Sequence, residues 1–117
     1  MQAWNADGVI LQAIGTYASG VNARVVELAA EHRLPAMFQA PVVVTDNGGL
    51  MAYTANMPSA YRVGADYVDK ILRGASPADL PVVDPRQFDF IVNIKTAREL
   101  GITFPPDAAA QVTQWIQ

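Results

Sequence analysis

Asp7-Gly8-Val9-Ile10-Leu11-Gln12 opens the stretch whose reading decides the fold, and Leu34-Pro35-Ala36-Met37-Phe38 closes it. The first run is short and apolar with polar flanks, the signature of a strand buried in a parallel sheet. From Gly20 to Arg33, Val21, Val25, Leu28, Ala29 and His32 fall on one helical face while Arg24, Glu27 and Glu31 point elsewhere. That is the stripe of a surface helix. Leu34-Pro35 stops it, and Ala36-Met37-Phe38 reads as a second strand. Residues 7–38 therefore form a strand-helix-strand unit of the length a parallel crossover needs, which makes the chain an α/β protein.

Downstream, Pro41-Val42-Val43-Val44 is open to two readings. Its β-branched residues favour a strand, and Pro41 favours a helix start. Asp46-Asn47-Gly48-Gly49 is turn chemistry before a strand Leu50-Met51-Ala52-Tyr53, and Asn56 with Pro58 opens a helix over 58–73. Ala60, Gly64, Tyr67, Val68, Ile71 and Leu72 make its apolar face, Lys70 and Arg73 suit its end, and Gly74 supplies a left-handed stop. Residues 75–81 read as a surface connection, because Pro77 and Pro81 forbid continued helix. In 88–94, Phe88, Phe90, Val92 and Ile94 alternate onto one face of a strand. Thr96 is positioned to cap a short helix ending at Gly101, and Pro105-Pro106-Asp107 starts a last helix carrying Val112, Trp115 and Ile116.

Composition narrows the function classes. The 117 residues are 51% apolar, so one compact domain is expected. Eight Lys and Arg against eleven Asp and Glu give a net charge of -3, with no run of one sign, which argues against a nucleic-acid partner. No stretch reaches the roughly 20 apolar residues of a membrane span. Met1-Gln2-Ala3-Trp4-Asn5 lacks the basic start and apolar core of a signal peptide, so no export address is read here. With no cysteine, disulfides, thiolate nucleophiles and cysteine zinc sites are excluded.

Catalytic chemistry is thinly supplied. The single histidine, His32, stands at the end of an amphipathic helix, where capping is the commoner role. Ser19 and Ser59 lack a nucleophile-elbow context, Gly48-Gly49 is no phosphate-binding fingerprint, and Asp66 and Asp69 read as a solvated helix face. No metal ligands have i, i+4 spacing with a third nearby, so neither metal nor cofactor is expected. Binding residues are another matter. Ligands of parallel α/β sheets sit beyond the carboxyl ends of strands, which selects Gln12, Thr16 and Tyr17 after the first strand and Phe38 and Gln39 after the second. Tyr53 and Asn56 lie between a strand end and a helix start, where backbone N–H groups can receive a carboxylate. Core packing for Phe38 and Tyr53, and plain capping for Asn56, are the competing structural roles.

The order of segments also resembles a family. Residues 34–38, 48–53 and 65–82, with the closing run Phe90-Ile91-Val92-Asn93-Ile94-Lys95-Thr96-Ala97-Arg98-Glu99-Leu100-Gly101, are similar to the C-terminal part of ABC-transporter substrate-binding proteins related to the tryptophan and tyrosine binders. The resemblance runs from about Ala6 onward. It implies a partial type I periplasmic-binding-protein lobe, three-layered with a mostly parallel sheet. Residues 1–117 form one truncated region of it: about 7–44 in one lobe, about 46–80 crossing to the other, and about 86–117 returning. It further implies capture of a small solute, such as an amino acid or related organic molecule, for an ABC permease at the periplasm or cell surface. A piece of two lobes leaves apolar faces uncovered, so a homo-oligomer, in one form a segment-swapped dimer, is expected. Gln39-Ala40-Pro41-Val42-Val43-Val44 departs from the charged helix start of many relatives, which leaves the solute open.

Two other classes stay in play. One is a self-associating α/β remnant without ligand. The other is a small α/β enzyme using His32, or a carboxylate such as Asp46, as base; it requires that base near the strand ends.

Overall fold

The computed structural model describes residues 6–12, 19–84 and 86–117. Thr16 and Tyr17 lie outside the described residues. The elements are β1 (Val9–Leu11), α1 (Ser19–Glu31), β2 (Ala36–Phe38), α2 (Pro41–Thr45), β3 (Met51–Ala55), α3 (Met57–Leu72), β4 (Phe88–Asn93), α4 (Ile94–Leu100), α5 (Pro106–Ala109) and β5 (Gln114–Ile116), with a 3-10 turn at Pro77–Asp79. The chain divides into two compact units, Met1–Thr54 with Asp89–Gln117, and Ala55–Phe88.

The first unit holds the sheet, whose order is β1-β2-β3-β4-β5. β1, β2 and β3 are parallel neighbours, and so are β4 and β5. Between the two sets the direction reverses. The Asn93 N–H donates to the Leu50 carbonyl at 2.9 Å, and the Tyr53 ring meets the Phe90 ring. Numbers rising along β3 pair with numbers falling along β4, so that ladder is antiparallel. The carboxyl ends of β1, β2 and β3 thus share one sheet edge with the amino ends of β4 and β5.

The core of this unit is small and apolar, with Phe38 as its one large ring among aliphatic side chains: Phe38, Ala52 and Ile91 from the sheet, Ala29 from α1, Val43 and Val44 from α2, with Leu11, Val25, Val26 and Ile116 packed against it. Burying each Val or Phe side chain contributes about 1.5–3 kcal/mol. On α1 the buried stripe runs through Val25, Val26 and Ala29, and Val21 is exposed. The ambiguous Pro41-Val44 segment is helix. Pro41 sits in its first turn, and complete burial of Val43 and Val44 overrides their β preference.

Two expectations are corrected. Ile94 does not continue the strand; it opens α4, whose cap is Asn93 and not Thr96, because the Asn93 side-chain oxygen accepts from the Thr96 N–H at 3.1 Å. The Thr96 hydroxyl instead donates to the Gly48 carbonyl at 2.8 Å, tying α4 to the turn before β3. Helix α4 does end at Gly101, in the left-handed region at φ 70°. The last helix is also shorter than expected. It stops at Ala109, and Trp115 and Ile116 lie in β5, a strand paired with β4. Leaving the backbone of β4 unpaired would cost hydrogen bonds that β5 supplies, and Trp115 packs edge-to-face on Phe104 with centroids 6.0 Å apart.

The second unit is α3 and the extended chain after it. The Asn56 side chain accepts from the Ser59 N–H at 2.9 Å, which caps α3, and Gly74 at φ 99° follows its end. The Tyr67 hydroxyl donates to the Pro81 carbonyl, strapping the extended chain to the helix, and Lys70 lies 5.5 Å from the Tyr67 ring centroid. No residue of α3 is buried, and Tyr61, Val68, Ile71 and Leu72 present apolar side chains at the surface.

Candidate functional site

At the shared sheet edge the strand registers line up one residue from each strand. Leu11 is paired with Phe38, and Phe38 with Ala52. One step further along each strand come Gln12, Gln39 and Tyr53. Leu50 is bonded to Asn93, so three residues along β3 and three back along β4 place Tyr53 opposite Phe90. Ile91 pairs with Gln114, so Phe90 has Thr113 at its other side. Gln12, Gln39, Tyr53, Phe90 and Thr113 are therefore one row across the sheet.

The hydrogen bonds fix that row. The Gln39 N–H donates to the Leu11 carbonyl at 3.2 Å, which brings the chain leaving β2 against the end of β1. Phe90 belongs to a cross-strand pair that makes no hydrogen bonds to β3, so its polar backbone turns the other way. Its N–H donates to the Thr113 hydroxyl oxygen at 2.9 Å, and its carbonyl accepts from the Thr113 N–H at 2.8 Å and the Thr113 hydroxyl at 3.0 Å. Directly opposed side chains of this pair type approach closely. The Tyr53 and Phe90 rings meet edge-to-face, with centroids 6.1 Å apart and planes at 71°.

Successive strand residues face opposite sides of a sheet. Phe38, Ala52 and Ile91, one step back, point into the core, so Tyr53 and Phe90 face the other side. Tyr53 remains 49% exposed, whereas Phe38 is 3% exposed. The Phe38 ring also closes on Gly49, where an added Cβ would come within 3.0 Å of it. Phe38 is thus a core residue that supports the edge from below, and its ring is withdrawn from any ligand there. Gln12 and Gln39 are exposed. The edge offers two carboxamides, each able to donate and accept, beside one aromatic ring. That set suits a polar organic molecule with a planar part.

In the second unit Asn56 is half-buried and occupied as a cap. It also borders a pocket of about 300 Å³ lined by Ser59, Ala60, Val63, Val83, Asp84 and Arg86. The sequence reading missed Asp84 and Arg86, which have no motif around them. His32 lies where α1 leads into the start of β2, at the end of the sheet remote from the row. An enzyme reading that needs His32 near the strand ends does not fit this placement. Among the described residues no cluster of three His, Cys, Asp or Glu could hold a metal ion, and no helix is long and apolar enough to cross a membrane.

The sequence pattern of the ABC transporter substrate binding protein family matches residues 2–116. Two solved structures are similar over nearly the whole chain. One is a conserved domain protein from Vibrio cholerae O1 biovar El Tor, 27% identical with a TM-score of 0.75, covering 97% of this chain and 38% of its own. The other is an ABC domain from Streptococcus pneumonia in complex with L-Trp, 28% identical with a TM-score of 0.76, covering 98% of this chain and 39% of its own. A ligand-free, open substrate-binding protein with adhesive properties from Clostridium difficile shares the fold at 23% identity and TM-score 0.66, over 85% of this chain and 32% of its own. The chain thus spans less than two-fifths of the length of these structures. No curated protein matches it.

Proposed function

The chain belongs to the ABC transporter substrate binding protein family, and from that premise we propose that it supplies part of the solute-binding cleft of an ABC importer's capture protein. The observation that carries this reading is the row Gln12, Gln39 and Tyr53, in which Gln12 and Gln39 follow the carboxyl ends of β1 and β2 and Tyr53 lies level with them within β3. Binding sites of open α/β sheets lie at such edges. The solute is an amino acid or related organic molecule with a planar group. The exposed Tyr53 ring favours this, as does the L-Trp bound by the pneumococcal relative. Capture needs hydrogen bonds and stacking but no acid-base pair, and delivery is to a membrane permease from the periplasm or cell surface.

The division of the chain at Thr54/Ala55 and Phe88/Asp89 supports a lobe assignment. Residues 7–44 and the returning segment 86–117 serve one lobe, and the segment 46–80 crosses toward the second, with hinge closure retaining the solute.

Thermal unfolding with millimolar L-amino acids and aromatic acids tests the solute reading. A raised Tm with one chemical class supports it, and an unchanged Tm across the whole set contradicts it.

A second reading concerns assembly. The exposed apolar row Tyr61, Val68, Ile71 and Leu72 on α3 favours burial against further protein. In this reading a second copy of the chain, with or without exchange of segments, covers it. Light scattering decides: a dimer supports the reading, and a monomer at all concentrations rejects it.

A further inference from the structure

We infer that Thr113 and Phe90 are positioning residues for Tyr53, so that the entry of β5 sets the orientation of the aromatic ring at the solute edge; this rests on the binding reading above.

Phe90 is held at both backbone polar groups by one residue. Its N–H donates to the Thr113 hydroxyl oxygen, and its carbonyl accepts from the Thr113 N–H and hydroxyl, at 2.8–3.0 Å. A residue fixed on two backbone atoms has little freedom to rotate its strand position. Its ring in turn meets Tyr53 edge-to-face at 6.1 Å. An edge-to-face contact is directional, because the positive ring edge of one partner seeks the negative face of the other. Fixing Phe90 therefore fixes the plane of Tyr53, and the plane of a stacking ring decides which ligands lie flat against it. Thr113 is exposed and does its work through three hydrogen bonds of ordinary length. A serine there keeps the hydroxyl, and a valine keeps the shape without it.

Two measurements on the full chain test this. The first needs no ligand: the Tyr53 ring proton resonances, read by NMR in the wild type and in Phe90→Leu, Thr113→Val and Thr113→Ser. The ring resonances are expected to move in Phe90→Leu and Thr113→Val and to stay near wild type in Thr113→Ser. The second is the ratio of affinities for L-tryptophan and L-leucine. Loss of one oriented aromatic contact lowers that ratio by roughly threefold to tenfold in Phe90→Leu and Thr113→Val, with Thr113→Ser restoring it. Unmoved Tyr53 resonances in a folded Thr113→Val would overturn the inference, as would an unchanged ratio in that variant. If the wild type binds neither probe, the solute reading fails by itself, and the resonances still decide whether Thr113 positions Tyr53.

Discussion

Tyr53 and Phe90 face each other across β3 and β4, with ring centroids 6.1 Å apart and planes at 71°. Their strands run in opposite directions, so the end of one and the beginning of the other meet at a single sheet edge. There the half-exposed Tyr53 ring stands beside Gln39 in the row. Replacing Tyr53 by Ala is expected to weaken aromatic solutes by about tenfold, the loss of one stacking face. Tyr53→Phe keeps most of the affinity. Because Tyr53 is 49% exposed, unfolding free energy should fall by only about 1 kcal/mol in the Ala variant. Calorimetric titration beside denaturant unfolding separates the two effects.

Gly49 answers to packing. A Cβ there would meet the Phe38 ring and the Val43 carbonyl at 3.0 Å, and neither is the loose end of a flexible side chain. Gly49→Ala should destabilise the chain by about 1–3 kcal/mol through overpacking. A lowered midpoint in urea with unchanged slope is the expected record.

Two asparagines cap helices in the same way but in different surroundings. Asn56 caps α3 by accepting from Ser59, and Asn56→Ala should cost about 1 kcal/mol, with Asp tolerated. Asn93 caps α4 and is 7% exposed, so its removal also leaves a buried site without its oxygen. The cost of Asn93→Ala should reach about 2 kcal/mol. Thermal unfolding of the two variants side by side checks the order.

His32 is exposed and remote from the row. His32→Ala should leave stability within about 0.5 kcal/mol of the parent and leave solute affinity unchanged. A loss of binding in this variant would contradict the placement of the site at the row.

Much of the fold was legible because it is written locally. The run from Asp7 to Phe38 carries its own periodicity and stop signal, and the Asn56 cap and the glycines at 74 and 101 are punctuation within a few residues. The final strand was not legible. Pro105-Pro106 does start a helix, but what ends it after Ala109 is the open backbone of β4, some 20 residues back along the chain. The same holds for Pro41-Val44, where burial of Val43 and Val44 settles what propensity leaves open. Gln12 and Gln39 were each legible as residues that follow a strand end, whereas Tyr53, expected at a strand end, lies in the middle of β3, which pairing with β4 carries on to Ala55. That they adjoin Phe90 and Thr113 in one row depends on register across five strands, which no local pattern encodes. Thr113 carries no signal at all in sequence, since a threonine between Val112 and Gln114 reads as surface.

Amide and side-chain NMR shifts during titration with L-tryptophan test most directly whether the edge row forms part of a solute-binding cleft. Saturable changes are expected at Gln12, Gln39 and Tyr53, with weaker ones at Phe90. Absence of change at these residues up to the solubility limit, or changes confined to α4 and the C-terminus, would contradict that assignment.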